Sequence, residues 1–492
     1  MERRRFVGLM GLTLVTPPAG PSRPRALPGP LQEDPRALAI GQLVEAKMAA
    51  YRIPGVALGL LKDERLVLRG FGLTNLDNPQ SVTPDTVFPV ASITKTVVAT
   101  AAHRLAEEGR LDLEAPVRDY LPDFRVADET ASREVRLWHL LTHTPGWEGQ
   151  LGTPDRGSET LASFAAGLRD LPQLAPPGAV WSYNNAGWNV LGGVLEVVTG
   201  ATIHALLRSL VFEPLGLVHA FTETGTAMTH RFAAPHREEG GQTVVIRPFS
   251  LPPAVAAGGS AMSLTSLMSY AAFHLGDGTV EGRRILSPSS LEAMRAARVV
   301  KNATTDEMGL GWHLRRLGGV LTAAHGGTLA GHCLHVQLVP ERRLAFAILT
   351  NHSEGWRLIQ DVGAAVLETY EGLALAPGQA TGGNRGGNED MTAHARPLDP
   401  QPAPGPYTGT YQRPPTGTAE VRARGDGLTI QGGGAGGDEV RLVFWRPDLA
   451  YTAPSDNVGS PYLGMPVEFI RRADGSVGWV RINGRIAARD PG

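Results

Sequence analysis

Ser92 and Lys95 stand three residues apart at the start of a segment that predicts a helix, so their side chains share one helix face. A serine hydroxyl becomes a strong nucleophile when a neighbouring base takes its proton. A lysine can be that base if burial and nearby positive charge lower its pKa. The alternative is an N-cap serine followed by a solvated lysine. The four residues 92–95 alone leave both interpretations open.

A second pair of candidate groups follows at Tyr183 and Asn185. A phenol can exchange a proton with a lysine, and an amide can hold a substrate carbonyl or the lysine itself. The alternative for Tyr183 is an aromatic side chain that packs under the apolar helix predicted from about residue 188. His139 and His143 are four residues apart, but no glutamate follows the first histidine as in a zinc hydrolase helix, which favours a structural role.

Composition excludes several classes of function. The chain has 492 residues, 42% of them hydrophobic, and a formal net charge of −2. No nucleic-acid partner is expected from that charge. Only four lysines stand among the 46 basic residues, so a lysine within a motif is harder to attribute to chance. Cys333 is the only cysteine, which excludes an internal disulfide and a thiolate metal cluster. No Gly-x-Ser-x-Gly nucleophile elbow was found.

The sequence resembles the serine β-lactamase and penicillin-binding-protein superfamily, within its class C-like branch of esterases, D-aminopeptidases and DD-peptidases. The resemblance covers roughly residues 35–370, and the agreement of independent motifs in the same order supports it. Besides Ser-x-x-Lys and Tyr-x-Asn, the motifs that carry it lie at residues 55–59, 70–72, 83–88, 107–122, 139–146, 257–259 and 309–312. It implies catalytic roles for Ser92, Lys95 and Tyr183, with Asn185 binding substrate.

The third motif of β-lactamases is usually Lys-Thr-Gly, and this sequence has His325-Gly326-Gly327 followed by Thr328. The resemblance implies that substrate lies along this strand and that the backbone N–H groups of Ser92 and Thr328 form an oxyanion hole. A histidine in place of lysine weakens the fixed positive charge that would bind a β-lactam carboxylate. Efficient β-lactamase activity is therefore not expected.

The elements around these motifs predict an α+β fold. Residues 35–51 predict a helix, 55–61 and 66–71 a hairpin, and 92–108 the helix that carries the serine and lysine. Several helices are expected over 112–286, strands at 334–338 and 344–349, and a helix at 356–370. The resemblance implies a β-lactamase/transpeptidase-like antiparallel sheet flanked by helices, plus a helical lobe, over a catalytic domain of residues 31–375.

The remainder of the chain divides into two parts. Residues 376–406 are dense in Gly and Pro and predict a linker, and the short strand-like runs of 407–492 predict a small all-β barrel domain. The start of that module, residues 407–411, resembles the lipocalin-like domain appended to some of these hydrolases. It could cover the cleft, mediate self-association or act as a spacer.

The N-terminus indicates export. Residues 1–30 combine a basic start, a short apolar run and small residues, as in a signal peptide, and Arg-Arg-Arg-Phe-Val at 3–7 looks like a twin-arginine signal. A periplasmic or extracellular location is expected; the alternative is a basic tail on a cytoplasmic enzyme. No stretch has the ~20 uninterrupted apolar residues of a transmembrane helix, so no stable membrane insertion is expected.

These observations predict a serine hydrolase that forms a covalent acyl-enzyme on Ser92 and cleaves an ester or an amide such as a D-amino-acid peptide. No metal or organic cofactor is expected, and the partner is a small-molecule or peptide acyl substrate. A penicillin-receptor-like binding protein without turnover and a weak β-lactamase are the alternatives. The sequence leaves the oligomeric state open.

Overall fold

A computed structural model describes residues 34–149, 160–252, 255–303, 306–375, 395–425, 427–432, 439–453 and 464–490. The predicted export signal at 1–30 lies outside these residues and stays a prediction, as does the structure of linker residues 376–394. No single helix in the described part of the chain is long and apolar enough to cross a membrane. One bent pair, Asn185–Thr199 with Ile203–Phe212, reaches that length and composition around an 81° bend.

An eight-stranded antiparallel sheet forms the centre of the first domain. The N-terminal hairpin pairs with the last strand of the domain, Val56 opposite Thr350, so both ends of the segment close one sheet, as the sequence predicts. Numbered in chain order, its strands lie side by side as β10 (Val299–Val300), β11 (Glu307–Met308), β12 (His313–Leu317), β13 (Val320–Leu329), β14 (His332–Val339), β15 (Leu344–Thr350), β1 (Gly55–Lys62) and β2 (Arg65–Gly72).

Small sheets support the larger one. They are a three-stranded sheet of β3 (Val87–Pro89), β7 (Ala261–Ser263) and β4 (Ala220–Phe221), and two hairpins, β5 (His236–Glu239) with β6 (Gln242–Val245) and β8 (Thr279–Val280) with β9 (Arg283–Arg284). The three-stranded sheet positions the segment that carries Ser92, because β3 ends just before residue 91 and pairs with β7, which follows the 257–259 motif.

Helices cover both faces of the eight-stranded sheet. α1 and α12 pack on one face, and the apolar residues of α12 recur at helical spacing because that stripe is buried. The other face packs against the helical lobe, which holds the largest core cluster. The helices are α1 (Pro35–Tyr51), α2 (Thr94–Glu107), α3 (Glu129–Glu134), α4 (Leu137–Leu141), α5 (Leu161–Ala166), α6 (Asn185–Thr199), α7 (Ile203–Leu207), α8 (Thr224–Met228), α9 (Val255–Gly258), α10 (Leu264–Leu275), α11 (Pro288–Met294) and α12 (Gly355–Glu371), with a π-helical turn at Arg208–Phe212.

The C-terminal domain is a closed antiparallel barrel of eight strands joined in chain order, which confirms the predicted all-β barrel. Its last strand pairs with its first, Tyr411 opposite Arg489, so the sheet has no open edge. The strands are β16 (Gly409–Arg413), β17 (Gly417–Arg424), β18 (Gly427–Gly432), β19 (Val440–Arg446), β20 (Leu449–Ala453), β21 (Pro466–Arg471), β22 (Val477–Ile482) and β23 (Arg485–Arg489).

The barrel packs against the helical lobe through its last two strands. Ile486 is buried in a cluster with Leu174, Ala175 and Val180 of the first domain. The Trp479 indole donates to the Leu174 carbonyl at 2.7 Å. This contact brings the β22–β23 turn next to the residues 181–185 that the sequence singles out.

Candidate active site

Ser92 lies in a tight turn that the sequence does not predict in this form. Residues Ala91–Ile93 form a 3₁₀ turn, and the α-helix α2 begins only after it, at Thr94. Ala91 has a φ of +47°, a left-handed conformation that is costly for a residue with a Cβ. The surrounding structure must hold this strain, and strained backbone of this kind is concentrated at functional sites.

Hydrogen bonds and a close glycine contact fix this turn. The Val90 N–H donates to the Ser260 carbonyl at 2.9 Å, and the Ser260 N–H donates to Thr94 Oγ1 at 3.1 Å. From the sheet side, Gly327 approaches so closely that a Cβ there would lie 2.4 Å from the Val90 carbonyl oxygen. Glycine is therefore required at 327 for β13 to pass the turn that carries Ser92.

We expect Gly327→Ala to show this requirement directly. The added methyl group must displace Val90 and the Ser92 turn, so the free energy of unfolding should fall by about 1–3 kcal/mol. Misplacement of the site should lower kcat/KM by about 100-fold. Gly225→Ala is the matched control, because a Cβ there meets nothing within 4 Å and Gly225 has no positive φ. Equal activity and melting temperature for both variants would contradict the expected crowding.

Lys95 is fully buried beneath the partly exposed Ser92. Its Nζ lies 3.3 Å from Ser92 Oγ, and it donates to Asn185 Oδ1 at 2.8 Å and to the Ala257 carbonyl at 2.5 Å. The helix spacing predicted from sequence therefore places the amine beside the hydroxyl. Asn185 contacts the lysine, which is one of the two roles that its amide allowed.

Burial lowers the pKa of Lys95 well below its ordinary value, and the positive charge of Arg485 lowers it further. A neutral amine has two N–H donors and one lone pair. Asn185 Oδ1 and the Ala257 carbonyl accept the two donors. The lone pair is then left for the proton of Ser92 Oγ, which is the arrangement a general base requires.

Tyr183 lies over the same lysine. Lys95 Nζ is 5.0 Å from the centre of the Tyr183 ring, and the side chains of Tyr183 and Ser92 are hydrogen-bonded. Burial raises the pKa of Tyr183, although the hydrogen bond to Ser92 and the charge of Arg485 oppose this. The tyrosine is therefore a neutral phenol at ordinary pH and can donate a proton, whereas Lys95 is the group able to accept one.

The edge of β13 borders the site. β12 pairs with β13 only as far as Ala324, so the backbone of residues 325–329 continues past the end of its neighbour. The Trp356 indole donates to Thr328 Oγ1 at 2.9 Å and holds that side chain on the α12 face of the sheet. Cβ directions alternate along a strand, so His325 and Gly327 face the helical lobe that carries Ser92.

His325 is neutral and supplies an acceptor. Its Nδ1 lies 2.8 Å from the Gly326 carbonyl, so Nδ1 carries the proton and Nε2 keeps its lone pair. Burial, with the charge of Lys95 as a second cause, lowers the pKa of His325 to about 3. Nε2 is buried without a hydrogen-bond partner. The strand therefore has no fixed positive charge at this position.

His139 and His143 stabilise the fold around Tyr183. His139 Nδ1 accepts from the Arg136 N–H at 2.9 Å. His143 accepts from the Asn184 N–H at 2.8 Å, and its ring stacks on Tyr183 with a centroid distance of 4.4 Å. The role of His143 beneath Tyr183 was not predicted, although the motif at residues 139–146 marked the segment.

Three further contributors escaped the sequence interpretation. The Ala257 carbonyl, which accepts from Lys95, is a backbone atom, and only the 257–259 motif pointed to it. Arg485 comes from the barrel and donates to the Tyr183 carbonyl at 2.9 Å. Glu148, 2% exposed, pairs with Arg485 at 3.4 Å. No local pattern distinguishes this arginine and glutamate from others in the chain.

Comparisons with known proteins show which proteins the chain is similar to. The family model described as beta-lactamase matches residues 40–369. Penicillin-binding protein 4 of Amycolatopsis lactamdurans is 30% identical over 379 residues, which cover 75% of this chain and 96% of that protein. Esterase EstB of Burkholderia gladioli is 36% identical over 203 residues, covering 38% and 50%. The crystal structure of SurE with D-Leu superposes with a TM-score of 0.75 at 25% identity, covering 93% of this chain and all of that one.

Proposed function

The chain belongs to the beta-lactamase family of serine hydrolases, and we propose that it hydrolyses acyl substrates through a covalent acyl-enzyme on Ser92. The observation that carries this proposal is the contact between a partly exposed serine and a fully buried lysine whose two other partners are acceptors. Lys95, Tyr183 and Ser92 are the proposed catalytic residues.

Acylation begins with attack of Ser92 Oγ on the substrate carbonyl carbon. The neutral amine of Lys95 takes the hydroxyl proton as the new C–O bond forms. The carbonyl oxygen becomes an oxyanion between the backbone N–H groups of Ser92 and Thr328, the oxyanion hole that the family resemblance implies. Asn185 is partly exposed and hydrogen-bonded to Lys95, which supports a proposed contact with the substrate.

The phenol of Tyr183 completes the first half-reaction. It gives its proton to the leaving alcohol or amine as the C–O or C–N bond breaks, and it regains a proton from the Lys95 ammonium. Lys95 is then neutral again and can take a proton from the water that attacks the acyl-enzyme. Cleavage of the ester bond returns that proton to Ser92 Oγ and releases the acid.

The substrate we propose is an ester or amide that has no carboxylate at the position where a bound β-lactam would place its own carboxylate. A neutral His325 offers an acceptor there instead of a cation. Two relatives support the two substrate types: one is an esterase, and the other, SurE, was solved with D-Leu. Among amides, the favoured substrate is therefore one whose acyl group is a D-amino acid.

Turnover of a short-chain nitrophenyl ester, a D-alanyl anilide and a cephalosporin tests this proposal, with the L-alanyl anilide as the matched control. We expect kcat/KM to be lowest for the cephalosporin, about 10- to 100-fold below the preferred substrate. That factor corresponds to the loss of one charge-assisted hydrogen bond to the carboxylate. The D-alanyl anilide should be cleaved faster than its L-isomer. A cephalosporin cleaved faster than the ester and both anilides would contradict the proposed substrate class. Acylation without release by every substrate would favour the penicillin-receptor-like alternative.

A further inference from the structure

Buried apolar and aromatic side chains pack inside the described part of the C-terminal barrel. Tyr407, Phe444 and Phe469 pack ring against ring, with Tyr407 lying 4.9 Å from each of the other two ring centres. Tyr411 is fully buried and donates to the Tyr407 carbonyl at 2.7 Å. This packing favours a role for the outer surface of the barrel over a role as a ligand cup.

That outer surface bonds the segment leading into Tyr183. Residues 181–184 belong to no helix or strand, so their backbone polar groups need partners from elsewhere. The barrel supplies partners at three consecutive residues, for the backbone of Trp181 and Tyr183 and for the side-chain hydroxyl of Ser182. The Tyr183 N–H donates to the Gly484 carbonyl at 2.9 Å, Arg481 donates to the Trp181 carbonyl at 2.9 Å, and the Ile486 N–H donates to Ser182 Oγ at 3.2 Å.

Arg485 adds a fourth bond and a charge. Its Nη1 donates to the Tyr183 carbonyl at 2.9 Å, and its guanidinium lies 5.5 Å from the centre of the Tyr183 ring. Glu148 and Arg413 hold it from behind, with Glu148 Oε2 3.3 Å from Arg413 Nε and Oε1 3.4 Å from Arg485 Nη1. One buried carboxylate thus contacts two largely buried guanidinium groups and fixes the position of Arg485 beside Tyr183.

We propose that the barrel is part of the catalytic apparatus and that Arg485 is a positioning residue, which holds Tyr183 against Ser92 and sets a positive charge beside the site. This inference rests on the proposed function and assigns a role to the second domain within it. The turn between β22 and β23 bonds both the N–H and the carbonyl of Tyr183, so its backbone is held on two sides. Small displacements of such a group lower the rate steeply.

The electrostatic part of the role follows from what surrounds Lys95. The titratable and charged groups facing it are Tyr183, His143, His325 and Arg485, with Lys301 acting on His325 and the Glu148–Arg413 pair behind Arg485. Arg485 is the charged group that, after burial, lowers the pKa of Lys95. Loss of its charge should raise that pKa and move the acid limb of kcat/KM to higher pH, because only the neutral amine can accept the serine proton.

The test compares Arg485→Met, Arg485→Lys and the control Arg441→Met in the full-length protein. Arg441 is an exposed arginine on β19 of the same barrel. The acylation rate is measured from the burst of nitrophenol release by an activated ester across pH, with melting temperature as a check on folding. We expect Arg485→Met to acylate about 100-fold more slowly and to show an acid limb at higher pH. Arg485→Lys should restore the limb, and Arg441→Met should match the wild type.

Each result of this comparison either supports or overturns the inference. A wild-type burst and limb in Arg485→Met would overturn the inference and leave Ser92 acylation standing. A slower burst with an unmoved limb in both Arg485 variants would also overturn it, since Arg485 would then only join the domains. If Arg485→Met fails to fold, Arg485→Gln, which keeps an amide donor without the charge, gives the same comparison. No burst in the wild type, with Ser92 unlabelled, would overturn the proposed function itself.

Discussion

Alanine at position 92 is expected to lower kcat/KM by about 10⁴- to 10⁶-fold, the range seen when the nucleophile of a serine hydrolase is removed. In the proposed mechanism Ser92 Oγ forms the acyl bond, and the phenol of Tyr183, which is hydrogen-bonded to Ser92, stays protonated because burial raises its pKa. The fold should be unaffected, because Ser92 is only partly buried. Steady-state hydrolysis of the best substrate measures the loss of activity, and the melting temperature checks that the fold is unaffected.

Ser269→Ala is the matched control for this experiment. Ser269 lies on α10, is half-buried, and donates only to the Thr265 carbonyl of its own helix at 3.0 Å. It should retain wild-type rates. A Ser92→Ala protein that hydrolyses the same substrate at the rate of Ser269→Ala would contradict the role of Ser92.

The second large effect is expected for Lys95→Met, which keeps the length of the side chain and removes the amine. Loss of a general base is expected to lower kcat by about 10⁴-fold. Asn185 Oδ1 and the Ala257 carbonyl would also lose their donor, so some loss of stability should accompany the loss of rate. Lys47→Met is the control, because Lys47 pairs with Asp361 at 2.7 Å on the surface of α1.

The pH profile separates a base from a merely structural lysine. Wild-type activity should rise with pH through the pKa of Lys95, which burial places well below the ordinary value. The residual activity of Lys95→Met should lack that limb. An acid limb unchanged in Lys95→Met would assign the titration to another group and contradict a base role for Lys95.

The parts of the fold predicted from sequence are those that short-range patterns encode. The hairpin over residues 55–71 and the helix at 356–370 follow from alternation and helical spacing, and the structure has both within about one residue. Ser92 and Lys95 could be paired because they share one turn of helix. Tyr183, Asn185 and His325 are remote in the chain and could be joined to them only through the order of the family motifs.

The remainder depends on contacts that no local pattern carries. Arg485 is 390 residues from Lys95 and reaches the site only because β22 and β23 pack on residues 174–186. The 3₁₀ turn at Ser92 depends on the strain of Ala91 and on the close approach of Gly327. From sequence, the barrel could cover the cleft, mediate self-association or act as a spacer, and nothing in the sequence chooses between these roles. The bonds to Tyr183 favour a role beside the cleft.

Mass spectrometry of the protein quenched during turnover of an activated ester tests the proposed chemistry most directly. We expect the intact mass to rise by that of one acyl group, and the modification to map to the peptide that contains Ser92. The Ser92→Ala protein should show no such adduct. An acyl group on another residue would contradict the mechanism. So would full turnover without any detectable acyl-enzyme, for a substrate whose acylation is faster than its release.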